Sequence, residues 1–345
     1  MLLGPFGPAG CYYGHLASGQ LKILWRREPI EEAIRDDRHP DEVRALLSLT
    51  LEVREFAKTL GLTVDGQYTS YVNWPGDRIV TTLVRTRAGT LDAVPWRYPF
   101  LGQLPYRGYF DRERAEREAE QLLRDGRYDV CVSGVTAYST LGWLDDPVTR
   151  PMLARGAPSL VETLLHELVH ATAFLPGEAD FNESAAQFIG QQAAIRFFEQ
   201  EGLRSHAPSA LTLPSADHVR NAIDDRRRIA EVQLAFRHEL EALTGRPDRE
   251  ALRTAAEART RETLAALPLA VLDARGVAER ARLSDACLAL RGTYIADLAR
   301  HERVYLALQE ELPRMIERLR LWADEERPPE RFFDVSDLEA DSGRH

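Results

Sequence analysis

The chain has 345 residues, is 44% hydrophobic and carries a formal net charge of −10. That length gives one large domain or two modest ones a real core, and an acidic balance with no basic stripe excludes a nucleic-acid footprint. No apolar run reaches the length of a membrane span. Three scattered cysteines, Cys11, Cys131 and Cys287, with no CxxC pair, argue against a disulfide scaffold and against a thiolate metal site.

The first ten residues lack the charged and apolar regions of a signal peptide. Ala9-Gly10 before Cys11 nevertheless reads like a lipoprotein cleavage site, which makes Cys11 a candidate lipid anchor. Residues 40–60 carry Val43, Leu46, Val53, Phe56, Ala57 and Leu60 at helical spacing, closed by Gly61. RIVTTLVRT (78–86) is β-branched and reads as a strand. VPWRYPFLGQLPYRGYF (94–110) is aromatic and proline-broken, so it reads as loop or short irregular strand. DRERAEREAEQLLRD (111–125) is a charged helix with Asp111 as its N-cap, and YDVCVS (128–133) a short strand. After about residue 200, helix formers dominate 217–244, 248–267 and 274–325. PPERFFDVSDLEADSGRH (328–345) is an acidic tail expected to be loosely ordered. There is no internal repeat.

The chemistry concentrates in 166-HELVHATAFLPGEADFNESAAQF-188. Ser159 and Glu162 form a capping-box pattern ahead of it. His166 and His170, four residues apart, lie one turn above the other on a helix face, so both imidazoles can reach one ion. Glu167 is placed to reach a metal-bound water. His166-Glu167-Leu168-Val169-His170 is the HExxH pattern of zinc metallopeptidases. The third ligand comes from a following helix N-capped by Asn182. Glu183 in its first turn is preferred over Glu178 and Asp180, which lie in the turn and would be less rigidly held. Gln187 either hydrogen-bonds a ligand imidazole or is an ordinary exposed polar residue.

FNESAAQFIG beside HELVHATAF resembles the second motif of a bacterial family of zinc aminopeptidases within the gluzincin group. GCYYGHLASGQLKILWRREPIEEAI (10–34), LPYRGYF (104–110) and YDVCVSGVTAYSTLGWLDDP (128–147) resemble that family's segments in the same order. The likeness covers residues 10 to 200 well and the helical half weakly. Family members often look like lipoproteins, so the resemblance implies a membrane-anchored or periplasmic protein; no signal peptide is recognisable ahead of Cys11.

The sequence reading is therefore an α+β protein. Residues 1–205 form a zincin-like region with an active-site helix 159–174 and a ligand helix 182–198. A helical region, 206–327, packs on the cleft, and the acidic tail follows. His166, His170 and Glu183 are expected to hold Zn²⁺, with Glu167 as general base on a peptide substrate. Tyr138, Tyr294, Tyr305 and His301 are candidates for the group that steadies the oxyanion. GVTAYSTLGW (134–143) is a candidate substrate-pairing edge, and LPYRGYF a candidate aromatic wall. Glu178, Asp180, Asp145 and Asp146 are candidates to receive a substrate ammonium. The competing readings are an endopeptidase or other amidohydrolase, and a non-enzymatic helical interaction protein.

Overall fold

The structure is a computed structural model that describes residues 8–98, 102–137, 145–200, 210–295 and 297–336. Helix α1 (Pro8–Trp25), whose backbone includes Cys11, strand β1 (Arg27–Pro29) and α2 (Ile30–Arg35) lead into α3 (Asp41–Thr59). α3 starts behind Pro40 and stops before Gly61, whose φ of +86° favours glycine. It buries Leu46, Val53 and Ala57 of the face that the apolar spacing picks out, with Val43 and Phe56 partly buried, and Leu47 besides.

β2 (Ser70–Val72) pairs with β1 and, in parallel, with β8 (Val148–Thr149). A second sheet places β3 (Val80–Arg87) between β6 (Tyr106–Tyr109) and β7 (Tyr128–Val135), antiparallel to both. β4 (Trp96–Tyr98) and β5 (Gly102–Leu104) form a hairpin, so the aromatic stretch becomes short strands. Successive side chains of the second sheet point to opposite faces. Leu83 and Tyr109 pack against Ala115 and Ala119 of α4 (Arg112–Asp125) on one face. Asp111 caps α4 by accepting from the Arg114 N–H, as its sequence position indicates.

Short α5 (Arg150–Leu153) precedes the central pair, α6 (Ala157–Thr172) and α7 (Ala179–Glu199). The helical half follows as α8 (Ala216–Ala242), α9 (Arg249–Ala265), α10 (Ala274–Arg280), α11 (Asp285–Ile295), α12 (Leu298–Ala307), α13 (Leu312–Asp324) and α14 (Pro329–Phe332). The main core centres on α6 and α7. Leu160, Val161, Leu164, Leu165 and Leu168 of α6 are fully buried in one cluster with Phe188 and Ile189 of α7, Leu47 of α3, and Leu312 and Met315 of α13. The architecture is α+β. The acidic tail begins in order: Phe332 is fully buried beside His301 and Phe181, because two adjacent phenylalanines give this stretch apolar surface to bury. Residues 337–345 lie outside the described ones. No helix among the described residues is long and apolar enough to cross a membrane.

The expectation about cysteines needs correcting. Cys131 on β7 and Cys287 on α11 are joined in a disulfide across 156 positions. Sequence spacing says nothing about such a pair. A bridge needs two Cα atoms about 4.4–6.8 Å apart, and the packing of α11 on β7 brings these to 4.9 Å.

Candidate metal centre

α6 begins behind Gly156, with Pro158 in its first turn, where a missing N–H costs nothing. The expected capping box does not form. Ser159 Oγ accepts from Arg155 Nε at 3.0 Å instead. Glu162 looks outward: one oxygen accepts from Gln187 Nε2 at 3.0 Å, and the other meets the Arg226 guanidinium. Gln187 therefore orients Glu162 and does not bond a ligand imidazole.

The start of α7 is also corrected. The helix begins at Ala179, so Asn182 lies inside it and is no N-cap. Its buried amide clasps Leu175 twice, accepting from the backbone N–H at 2.9 Å and donating to the C=O at 2.7 Å. That clasp fixes the 173–178 turn and sets α7 antiparallel to α6. Glu183 consequently falls in the second turn of α7, facing the two histidines.

The Nε2 atoms of His166 and His170 are 3.1 Å apart. Glu183 Oε2 lies 3.4 Å from the first and 3.6 Å from the second. A tetrahedral ion with bonds of about 2.0–2.1 Å separates neighbouring donors by about 3.3 Å, so the triangle has the size and the donor set that zinc takes. Glu178 and Asp180 are exposed and stand outside it. The charges agree with the geometry. Burial alone would raise the Glu183 pKa, but hydrogen bonds from His166 and His170 pull it down to about 2. Burial would lower that of His166, yet the Glu183 hydrogen bond and the Glu167, Glu183 and Glu162 charges raise it.

Where the two helices cross, a methyl group on Gly190 would sit 3.0 Å from the His166 backbone nitrogen. Only glycine lets α7 approach α6 this closely, and a glycine inside a helical pattern was the available sequence signal.

Three tyrosines from separate segments come within electrostatic reach of Glu167. Tyr294 on α11 is partly buried, and burial together with the charges of Glu183 and Glu167 raises its pKa. Tyr106 on β6 feels the same two carboxylates. Tyr68, in the loop before β2, is raised well above the usual tyrosine value by burial, then by Glu167 and Asp146. Its φ is +59°, a left-handed backbone that a bulky residue seldom adopts. Its N–H donates to the Asp146 carbonyl at 2.7 Å. Sequence reading passed over Tyr68 altogether and saw Tyr106 only as part of an aromatic segment.

The other oxyanion candidates are placed elsewhere. Tyr305 accepts from Arg196 at 3.1 Å. His301 is fully buried on Ser184 Oγ at 3.1 Å, and burial, then Arg300, lowers its pKa to about 3. Tyr138 and residues 139–143 of the candidate edge lie outside the described residues. A second trio, Glu28, Asp36 and His39, also converges, but His39 bonds Glu28 at 3.0 Å and Arg38 clasps Asp36, so its charges already have partners.

Compared with protein-family models, residues 11–332 match the one described as "Putative aminopeptidase". No curated protein matches, and no solved structure does.

Proposed function

The chain belongs to this aminopeptidase family, whose model spans nearly all of it, and from that premise we propose that it is a zinc-dependent peptidase. In this reading His166, His170 and Glu183 hold Zn²⁺ in residues 1–205, and residues 206–327 close one side of the cleft by bringing Tyr294 over them. The observation that carries the proposal is the convergence of three donor atoms within 4.8 Å of one another, with Glu167 next in sequence to the first. When bound, the ion supplies Lewis-acid polarisation and lowers the pKa of water towards neutrality.

The remaining work falls to side chains. Glu167 takes a proton from the attacking water and passes it to the leaving amine. Tyr294 keeps its proton, because burial and two nearby carboxylates disfavour the phenolate, and donates to the oxygen that gains charge. Glu162, held by Gln187 and Arg226, adds negative potential beside His166. Aminopeptidase specificity rests on the family membership.

The test is Glu167→Gln against wild type, with zinc measured by elemental analysis and hydrolysis measured on aminoacyl anilides and on peptides with free and acetylated N-termini. We expect about one zinc per chain in both proteins, activity only in the wild type, and no cleavage of acetylated peptides. Full activity in Glu167→Gln would remove the general base. Cleavage of acetylated peptides would move the reading to an endopeptidase.

A further inference from the structure

Helix α11 links the sheet to the metal centre. Val84 on β3 pairs with Tyr106 on β6 and with Cys131 on β7, so these three side chains form one row on one face of the sheet. α11 lies across that face. Val84 and Cys131 pack with Ala286, Cys287 and Leu290 of α11. Cys287, Leu290 and Tyr294 follow at helical steps along a single stripe. The same helix packs against α7, and Tyr294 at its far end comes within electrostatic reach of Glu183, Tyr106 and Glu167.

The end of α11 away from the site is fastened three times. The disulfide joins Cys287 to Cys131. Asp129, on the same face of β7, accepts from the Ala286 N–H at 2.9 Å and so serves a free donor in the helix's first turn. Asp285 is held by Arg249 at 2.6 Å and Arg253 at 3.3 Å. One face of the helix thus begins in a covalent bond and ends, two turns on, in the tyrosine.

We infer that the Cys131–Cys287 bond is a positioning element of the active site: it holds α11 on the sheet so that Tyr294 stays over the reacting carbonyl, and peptidase activity depends on that bond being intact. The inference rests on the peptidase reading above. Both sulfurs belong to buried residues, and the Arg282 guanidinium lies 3.3 Å from Cys131 Sγ, where it would steady the thiolate released when the bond opens. A bond of this kind persists in oxidising surroundings, so the chain reaches full activity only there. Reduction by a phosphine is balanced as follows. The S–S bond breaks, water gives its oxygen to the phosphine and its two hydrogens to the sulfurs, and two thiols and a phosphine oxide result.

The experiment uses the zinc-loaded full chain, before and after phosphine treatment, together with Cys131→Ser/Cys287→Ser, each in wild-type and Tyr294→Phe backgrounds. Expected are unchanged zinc, KM within about twofold, and a kcat loss on the order of 10- to 100-fold that disappears in the Tyr294→Phe background. Unchanged kcat, a loss that persists in full beside Tyr294→Phe, or zinc lost along with activity would each overturn the positioning role. If the serine variant fails to fold, the phosphine titration of folded wild type decides. Amide exchange across 285–295 separates this inference from the function it rests on. A wild type without peptidase activity sinks the function, whereas exchange in α11 that reduction leaves unchanged sinks the positioning role.

Discussion

Tyr294 is where a single side chain carries the most chemistry that sequence spacing leaves unassigned. Of the four oxyanion candidates, Tyr305 and His301 have structural partners, and Tyr138 lies outside the described residues. Tyr294 shares its surroundings with Glu183 and Glu167. Tyr294→Phe removes one hydroxyl and little volume. On the proposed mechanism it lowers kcat by on the order of 10²-fold with KM and zinc content nearly unchanged; steady-state kinetics beside elemental analysis reads this directly. A wild-type kcat would shift the role to Tyr106 or Tyr68. His166, Glu167 and His170 needed no structure to be singled out, because a helix repeats every 3.6 residues and fixes their relation locally. Tyr68 was illegible. Its place beside Glu167 depends on a loop held by the Asp146 carbonyl, 78 positions away in the chain.

The contact of α6 with α7 is the device that turns two motifs into one site. It depends on Asn182 closing the turn and on Gly190 at the crossing. Replacing Gly190 with alanine pits two effects against each other. Helix propensity gains about 1 kcal/mol, while the methyl, 3.0 to 3.2 Å from His166 N, Cα and Cβ, costs about 1–3 kcal/mol by overpacking. Overall stability therefore changes little, but the strain falls on His166, a proposed ligand. Gly190→Ala should weaken zinc binding by roughly tenfold with only a small shift in melting temperature. Competition against a chelator measures the affinity; an affinity equal to wild type would show that the crossing tolerates the methyl. Helix existence was readable at this scale, and helix starts were not. Ser159 and Asn182 both look like caps, yet Gly156 and Glu178 stand at the true starts. Other hydrogen bonds claimed the side chains that would have capped, Ser159 to Arg155 and Asn182 across the turn to Leu175.

Across the whole molecule, the helical half and the tail are tied to the α6–α7 hairpin through His301. This residue is fully buried among Phe181, Phe188, Phe332 and Phe333 and is kept neutral, with its pKa lowered from 6.5 to about 3 by burial and then by Arg300. Between those two values the unfolded chain binds a proton that the folded chain refuses. Stability therefore falls as pH drops from 6.5 towards 3, by up to about 1.4 kcal/mol per pH unit. His301→Gln keeps a hydrogen-bonding group that does not titrate. Its unfolding free energy should fall less steeply than wild type between pH 6 and 4 in urea denaturation. Parallel slopes would show that His301 is not the group that titrates.

By itself, the sequence determined the α+β class, helices α3 and α4, strands β3 and β7, the helical second half, and the HExxH helix with its acidic partner helix close behind. All of these follow from periodicity and from contacts a few residues apart. The tertiary structure decided which carboxylate faces the histidines, that Cys131 and Cys287 bond, and that Tyr68, Tyr106 and Tyr294 come within electrostatic reach of Glu167. Those relations join residues up to 188 positions apart, Tyr106 to Tyr294. Only the packing of α11 between the sheet and α7 brings such residues together, because no local repeat encodes a distance through space.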